Sequence, residues 1–326
     1  MYTSRPIDSS ASSPRIQLQC KGPNGSGPEW VPLKQDWSER WCTLPDRFTE
    51  DYAIRIHDFE TRDSDVFVVT FMKAGTTWMQ ELAWLLLNKM DYETAKSSYA
   101  MHRSVFLEES AVNPAVPDSI SLCNKMKGNP RLIKSHLPAQ LLPPQLWKQG
   151  RKIIYMARNP KDIVVSQYHF LTGFGFWQGS LDEFVDDFVA DKVSFTSYWA
   201  HVIDFYRMRD EENIFFVTYE EMSRNLGDVI KRLSLFLGCK ELSENEMDKL
   251  INHLSFKNMK ESKFGNPTGL MKTYRKIGDD FQFMRRGIVG SFKDELSSEG
   301  KEKIDQLTYT FLKEYGLTES DIFGEV

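Results

Sequence analysis

Strands alternating with helices along one uninterrupted body predict an α/β fold, with a mostly parallel central sheet and helices on both faces. Three observations carry that prediction. Four runs rich in β-branched and aromatic residues, 66–71, 131–136, 152–157 and 213–218, have the length and composition of buried strands. Each leads, directly or after a short loop, into a stretch with helical spacing. No internal repeat or break in composition divides the region that contains them. In such sheets ligands bind beyond the carboxyl ends of the strands. Lys73, His136, Arg158 and Tyr219 all fall at or just past those ends.

The elements follow in order. Residues 1–28 are rich in Ser, Pro and Gly and end in Gly22-Pro23-Asn24-Gly25-Ser26-Gly27-Pro28, which predicts a flexible N-terminal arm. Residues 29–326 then form a single α/β domain. Trp37, Trp41, Phe48, Tyr52 and Phe59 pack the segment before the first strand onto that body. The strand at 66–71 gives way to a short loop and then to Met79-Gln80-Glu81-Leu82-Ala83-Trp84-Leu85-Leu86-Leu87, which reads as a buried helix. Residues 97–117 read as irregular, with one short helix around 104–110. The strand at 131–136 is stopped by Leu137-Pro138, and Pro143-Pro144 opens a short helix. The strand at 152–157 runs into Arg158-Asn159-Pro160-Lys161-Asp162. Asn159 as N-cap, Pro160 at the first helical position and Asp162 in the first turn predict a helix start there. An aromatic, glycine-rich loop at 174–179 precedes helices at 181–190 and 195–208. The strand at 213–218 is followed by a helix ending near Leu237 and another at 243–253. Residues 264–283 lack a period and read as a long loop, and 299–315 as the terminal helix.

Composition narrows the function. A formal charge of −5 argues against a chain that reads a nucleic-acid backbone with a broad basic face. Cys20, Cys42, Cys123 and Cys239 are scattered without a C-x-x-C pair, and no spacing suggests metal ligands. The polar N-terminus lacks the apolar core of a signal peptide, and no apolar run approaches the ~18 residues of a membrane span. These features predict a reduced, soluble, cytoplasmic protein with no metal centre.

The loop Lys73-Ala74-Gly75-Thr76-Thr77-Trp78 is the chemical centre of the sequence. A strand, a short loop and a helix in that order leave free N–H groups at the helix N-terminus, which is an anion site. Lys73 adds a cation, Gly75 allows close backbone approach, and Thr76 and Thr77 add hydroxyls. It is not the nucleoside-triphosphate loop, because the lysine precedes the only glycine instead of following the second of two.

Four motifs in order resemble the cytosolic sulfotransferase family: Thr70-Phe71-Met72-Lys73-Ala74-Gly75-Thr76-Thr77-Trp78, Ile133-Lys134-Ser135-His136-Leu137-Pro138, Tyr155-Met156-Ala157-Arg158-Asn159-Pro160-Lys161-Asp162 through Ser166, and Phe283-Met284-Arg285-Arg286-Gly287-Ile288-Val289-Gly290. The resemblance implies a P-loop-like strand–loop–helix that binds 3′-phosphoadenosine 5′-phosphosulfate and releases 3′-phosphoadenosine 5′-phosphate. It implies that Lys73, Ala74, Gly75, Thr76, Thr77 and Trp78 cradle the phosphosulfate. Arg158, Ser166, Arg285, Arg286 and Gly287 would clamp the ribose 3′-phosphate. Trp78 and Phe256 would stack on adenine, with Tyr219 nearby. His136 would be the general base, aided by Lys73 and Lys134, and Phe106 and Phe170 would line an acceptor pocket with His136. The partner implied is a small lipophilic phenol, sterol or retinoid-like alcohol. A dehydratase acting through a transient sulfated alcohol and a non-catalytic ligand carrier use the same residues and stand as alternatives.

The sequence also departs from the family pattern. Met72 and Ala74 replace a common proline and serine, and Leu254 replaces a threonine near the adenine. The segment Lys293-Asp294-Glu295-Leu296-Ser297-Ser298-Glu299-Gly300-Lys301-Glu302 keeps the charged ends of the family's dimer segment but not its Thr-Val centre, so a homodimer is possible but weakened.

Overall fold

The computed structural model describes residues 1–9, 11–22, 27–274, 277–278 and 280–324. Its eight strands are β1 (Tyr2–Ile7), β2 (Arg15–Cys20), β3 (Cys42–Pro45), β4 (Val66–Thr70), β5 (Ser104–Phe106), β6 (Leu132–Ser135), β7 (Lys152–Ala157) and β8 (Ile214–Thr218). Five of them form the central sheet in the order β5-β6-β4-β7-β8, and every pairing in it is parallel. All five residues of β4 are buried, which is why the sequence there is a continuous apolar run instead of an alternation.

Side-chain alternation along the strands divides the core between the two faces. Phe67, Val69, Ile133, Ile153 and Tyr155 join one apolar cluster, while Val66, Val68, Leu132, Ile154 and Met156 join another. Helix α1 (Thr76–Leu87) follows β4, and α2 (Pro160–Gly173) follows β7. The start of α2 is built as its residues predict, with Asn159 accepting from the Lys161 N–H at 2.9 Å and Pro160 at the first position. Because the five strands run parallel, their carboxyl ends share one edge. That edge presents Phe106, His136, Arg158, Tyr219 and the loop after β4.

Three expectations are corrected. Residues 1–28 do not form a flexible arm over their described part. β1, β2 and β3 make an antiparallel sheet, and Tyr2, Leu18, Cys20 and Leu44 are buried in the same cluster as the central core. The alternation of Ile16-Gln17-Leu18-Gln19-Cys20 outweighs the Ser/Pro/Gly content, because each apolar side chain reaches a core across the sheet. Within residues 97–117, the short helix expected near 104–110 is replaced by helical turns at Ala100–Arg103 and Glu109–Val112 with β5 between them. Gln80 of α1 holds β5 by donating to the Ser104 carbonyl (3.2 Å) and hydroxyl (3.0 Å). The long loop expected at 264–283 contains a helix at Thr268–Tyr274.

Candidate active site

The loop after β4 turns through two left-handed residues, Lys73 (φ 70°) and Gly75 (φ 103°). Gly75 is required twice over, by that φ and by the 2.8 Å at which a Cβ would meet the Tyr219 ring. It opens α1 with no side-chain cap, so the first N–H groups of the helix face the crevice. Between the two turns, Ala74 points inward. It is fully buried and is not among the residues lining the cavity.

All the other expected site residues converge on one cavity of about 1180 Å³. Lys73, Gly75, Thr76, Thr77 and Trp78 wall it from the loop. Arg158 and Tyr219 reach it from the ends of β7 and β8, and Ser166 from α2. Phe256, Arg285, Arg286 and Gly287 close it from the C-terminal side, and Phe106, Lys134, His136 and Phe170 line it from β5, β6 and α2.

The cations are arranged around this space. The Lys73 ammonium sits over the rings of Phe283 (4.2 Å) and Phe170 (4.5 Å), so Phe170 joins the donor lysine to the acceptor wall. Burial, with Arg158, Lys134 and Arg285 nearby, lowers the Lys73 pKa to about 7. Arg158 lies over Tyr219 at 4.3 Å, bends along α2 to within 3.9 Å of Asp162, and donates to the Lys73 carbonyl at 3.2 Å. Asp162 accepts from the Gly290 N–H (2.7 Å), the Ser291 hydroxyl (3.1 Å) and the Phe292 N–H (3.1 Å). These bonds fasten the segment carrying Arg285 and Arg286 to the start of α2, although the two are more than a hundred residues apart in sequence. Arg286 pairs with Asp294 at 2.5 Å, and Arg285 pairs with Glu295. Asp294, Glu295 and the buried Leu296 of the expected dimer segment thus belong to this corner of the fold.

His136 is buried. Nδ1 lies 2.8 Å from the Thr70 carbonyl oxygen, which can only accept, and 3.1 Å from the Thr70 hydroxyl; the carbonyl favours the tautomer with the proton on Nδ1 and Nε2 unprotonated. Burial first, and then Lys134, hold the imidazole pKa well below its ordinary value. The Phe106 and Phe195 rings pack against it at 5.0 and 5.5 Å. Lys134 lies 4.2 Å over Phe106, with its pKa lowered by burial.

Sequence reasoning missed four contributors. Glu108 is fully buried and accepts from the His136 N–H (2.5 Å) and the Ser135 hydroxyl (3.0 Å). His201 donates to the His136 carbonyl at 3.0 Å and is itself bonded to the Tyr155 hydroxyl at 2.8 Å. Phe283 contacts the lysine, and Phe195 the histidine. A buried-strand reading of 104–106 would have pointed to Glu108, since it places that carboxylate beside the end of β6. The others carried no local signal.

The residues suit a nucleotide bearing two separate anionic groups. Arg158 Nε and Trp78 Nε1 are buried without a hydrogen-bond partner among the described residues, and the uncapped helix supplies further donors. Gly287 (φ +67°) lies so close to Phe256 that a Cβ would come within 2.1 Å of its ring, and both residues line the cavity.

The family model described as Sulfotransferase domain matches residues 63–316. Luciferin sulfotransferase of Photinus pyralis is 36% identical over 271 residues, covering 78% of this chain and 73% of the relative. Sulfotransferase 1 family member D1 of Mus musculus is 34% identical over 280 residues, covering 85% and 89%. Among solved structures, retinol dehydratase in complex with androsterone and inactive cofactor PAP superposes with a TM-score of 0.83 at 24% identity, covering 98% of both chains. The chain belongs to the sulfotransferase family. Its activity is sulfuryl transfer. No helix among the described residues is long and apolar enough to cross a membrane.

Proposed function

We propose that the enzyme moves a sulfuryl group from 3′-phosphoadenosine 5′-phosphosulfate to the hydroxyl or amine of a small lipophilic acceptor, with His136 as general base. The observation that carries this reading is the favoured tautomer of His136. The Thr70 carbonyl accepts a hydrogen bond from Nδ1–H, which leaves Nε2 as the unprotonated nitrogen, and His136 lines the cavity with Lys73 and Lys134. The lowered imidazole pKa keeps that nitrogen unprotonated at neutral pH, ready to take the acceptor's proton.

When bound, the donor supplies an activated sulfuryl group. The N–H groups at the start of α1, with Thr76 and Thr77, suit its phosphosulfate end. Arg158, Ser166, Arg285, Arg286 and Gly287 suit the ribose phosphate, and Trp78, Tyr219 and Phe256 offer aromatic surface for the base. Lys73 brings positive charge to the same edge as His136. Phe106, Phe170 and Phe195 give the acceptor an apolar wall, which matches a phenol, sterol or retinoid-like alcohol better than a polar metabolite.

The test is a panel of phenols, sterols and retinoid-like alcohols incubated with the donor, with products weighed by mass spectrometry. The expected product carries one added sulfate. An acceptor that instead loses water would overturn net sulfation in favour of dehydration. No product from any acceptor class, together with intact nucleotide binding, would favour a ligand carrier.

A further inference from the structure

The cavity has a second polar end, remote in sequence from every residue used above. Arg15, at the start of β2, lines it and is only 5% exposed. One terminal nitrogen donates to the Ser13 hydroxyl at 2.7 Å and lies 3.4 Å from the Ser13 and Pro14 carbonyls. Its Nε is buried without a hydrogen-bond partner among the described residues. The carboxylate that acts on it from nearby, Asp46, is exposed and forms no ion pair with it among the described residues. Burial lowers the Arg15 pKa. Arginine is seldom buried this deeply without a carboxylate or similar partner.

The path from Arg15 to the reacting end is apolar. β3, paired to β2, bonds the loop that carries Phe195: the Thr43 N–H donates to the Thr196 carbonyl at 2.8 Å, and the Phe195 N–H donates to the Thr43 carbonyl at 2.6 Å. On the other side, the Ser12 N–H donates to the Phe176 carbonyl at 3.1 Å. The rings of Phe174, Phe176 and Phe195 therefore line the cavity between the N-terminal sheet and His136.

From this arrangement we propose that Arg15 anchors the far end of the acceptor, and that the preferred acceptors are amphipathic hydroxy acids. The hydroxyl lies at His136, an apolar body lies along the rings, and a carboxylate meets Arg15. A planar guanidinium presents donors in a fork that suits the two oxygens of a carboxylate. This inference rests on the sulfuryl-transfer reading above.

The test uses p-hydroxyphenyl alkanoic acids of increasing chain length, their methyl esters, and the p-alkylphenols of equal length. At the best length the acid should exceed its ester in kcat/KM by roughly 10–100-fold, as a charge-assisted bond allows. In Arg15→Gln that ratio should fall to about one, and Arg15→Lys should keep part of it. The ratio is taken within each protein, so a general loss of fold cancels. In a second arm, without turnover, the acid should raise the Tm of the protein saturated with 3′-phosphoadenosine 5′-phosphate more than the ester does, and Arg15→Gln should erase the difference. Equal kcat/KM for acid and ester at every length, or a preference that survives Arg15→Gln, overturns the proposal. Ester and acid both well above the alkylphenol would also overturn it, since the site would then read a carbonyl. If no phenol is sulfated, the function reading fails, and the Tm arm still decides on Arg15.

Discussion

On the donor side, the cavity is walled by backbone N–H groups and by cations whose places follow from strand ends. On the acceptor side, it is walled by side chains gathered from the N-terminal sheet, the turns around β5 and the loops near Phe176 and Phe195. The donor wall is set by local geometry, with a left-handed glycine, an uncapped helix and an arginine one residue past β7. The acceptor wall depends on long-range contacts between segments with no shared pattern. A cofactor common to many enzymes needs a fixed cradle, whereas an acceptor site has to be shaped by the rest of the chain. His136 stands where the two walls meet, and substitutions can separate them.

The largest expected effect comes from His136→Ala. It removes the proposed base and leaves the proposed donor wall intact, so kcat should fall by roughly 10²–10⁴-fold. Affinity for 3′-phosphoadenosine 5′-phosphate, measured by calorimetry, should stay within about threefold. Comparable loss of nucleotide affinity would mean that the two walls are not separable at this residue. Because burial lowers the imidazole pKa, the acid limb of kcat/KM in the wild type should lie below the ~6.5 of a free histidine.

Lys73 gives the donor side its own signature. Its folded pKa of about 7 lies below the ~10.4 of an unfolded lysine. Between those values the unfolded chain binds more protons, so the contribution of Lys73 to stability rises as pH rises through that window. A bound nucleotide reverses the trend, because its negative charge raises the lysine pKa and the complex takes up a proton. Nucleotide affinity should weaken above pH 7 by as much as about tenfold per pH unit, and calorimetry in buffers of different ionisation enthalpy should show proton uptake. Lys73→Met should flatten both dependences. A pH-independent affinity in the wild type would show that the lysine does not sense the nucleotide.

The same contrast explains what could be read from the sequence. The central strands at 66–71, 131–136, 152–157 and 213–218 were legible because burial on both faces writes itself as a continuous apolar run. The start of α2 was legible because capping is local. β5 was not, since three residues at a sheet edge carry no period and Gln80 of a different element holds them. β1 and β2 were obscured by serine and proline, although Leu18 and Cys20 alternate into the core. Arg15 and Glu108 read as ordinary charges because their burial is imposed by segments distant in sequence. His169 packs against Tyr168 at 5.3 Å and reaches Glu295 at 2.5 Å, joining the network that holds Arg285.

Glu108 gives the smallest effect and joins the two walls. Its carboxylate accepts from the His136 N–H and the Ser135 hydroxyl, so it fixes the end of β6 from the turn after β5. Burial raises its pKa to about 7, against the pull of those bonds. Between ~4.3 and 7 the folded state therefore binds more protons than the unfolded chain. The contribution of Glu108 to stability falls as pH rises through that window, and Glu108→Gln should remove this slope. The amide keeps an oxygen for the His136 N–H, so kcat should stay within about threefold. Glu108→Ala leaves that buried N–H without a partner, a cost of about 1–3 kcal/mol. It should lower kcat by about tenfold with KM nearly unchanged, because the histidine is displaced while neither binding wall is touched. Rescue by glutamine and failure of alanine would mark Glu108 as a positioning residue. Equal kcat in both variants would leave it a structural group only, and the position of His136 would then rest on its bond to the Thr70 carbonyl.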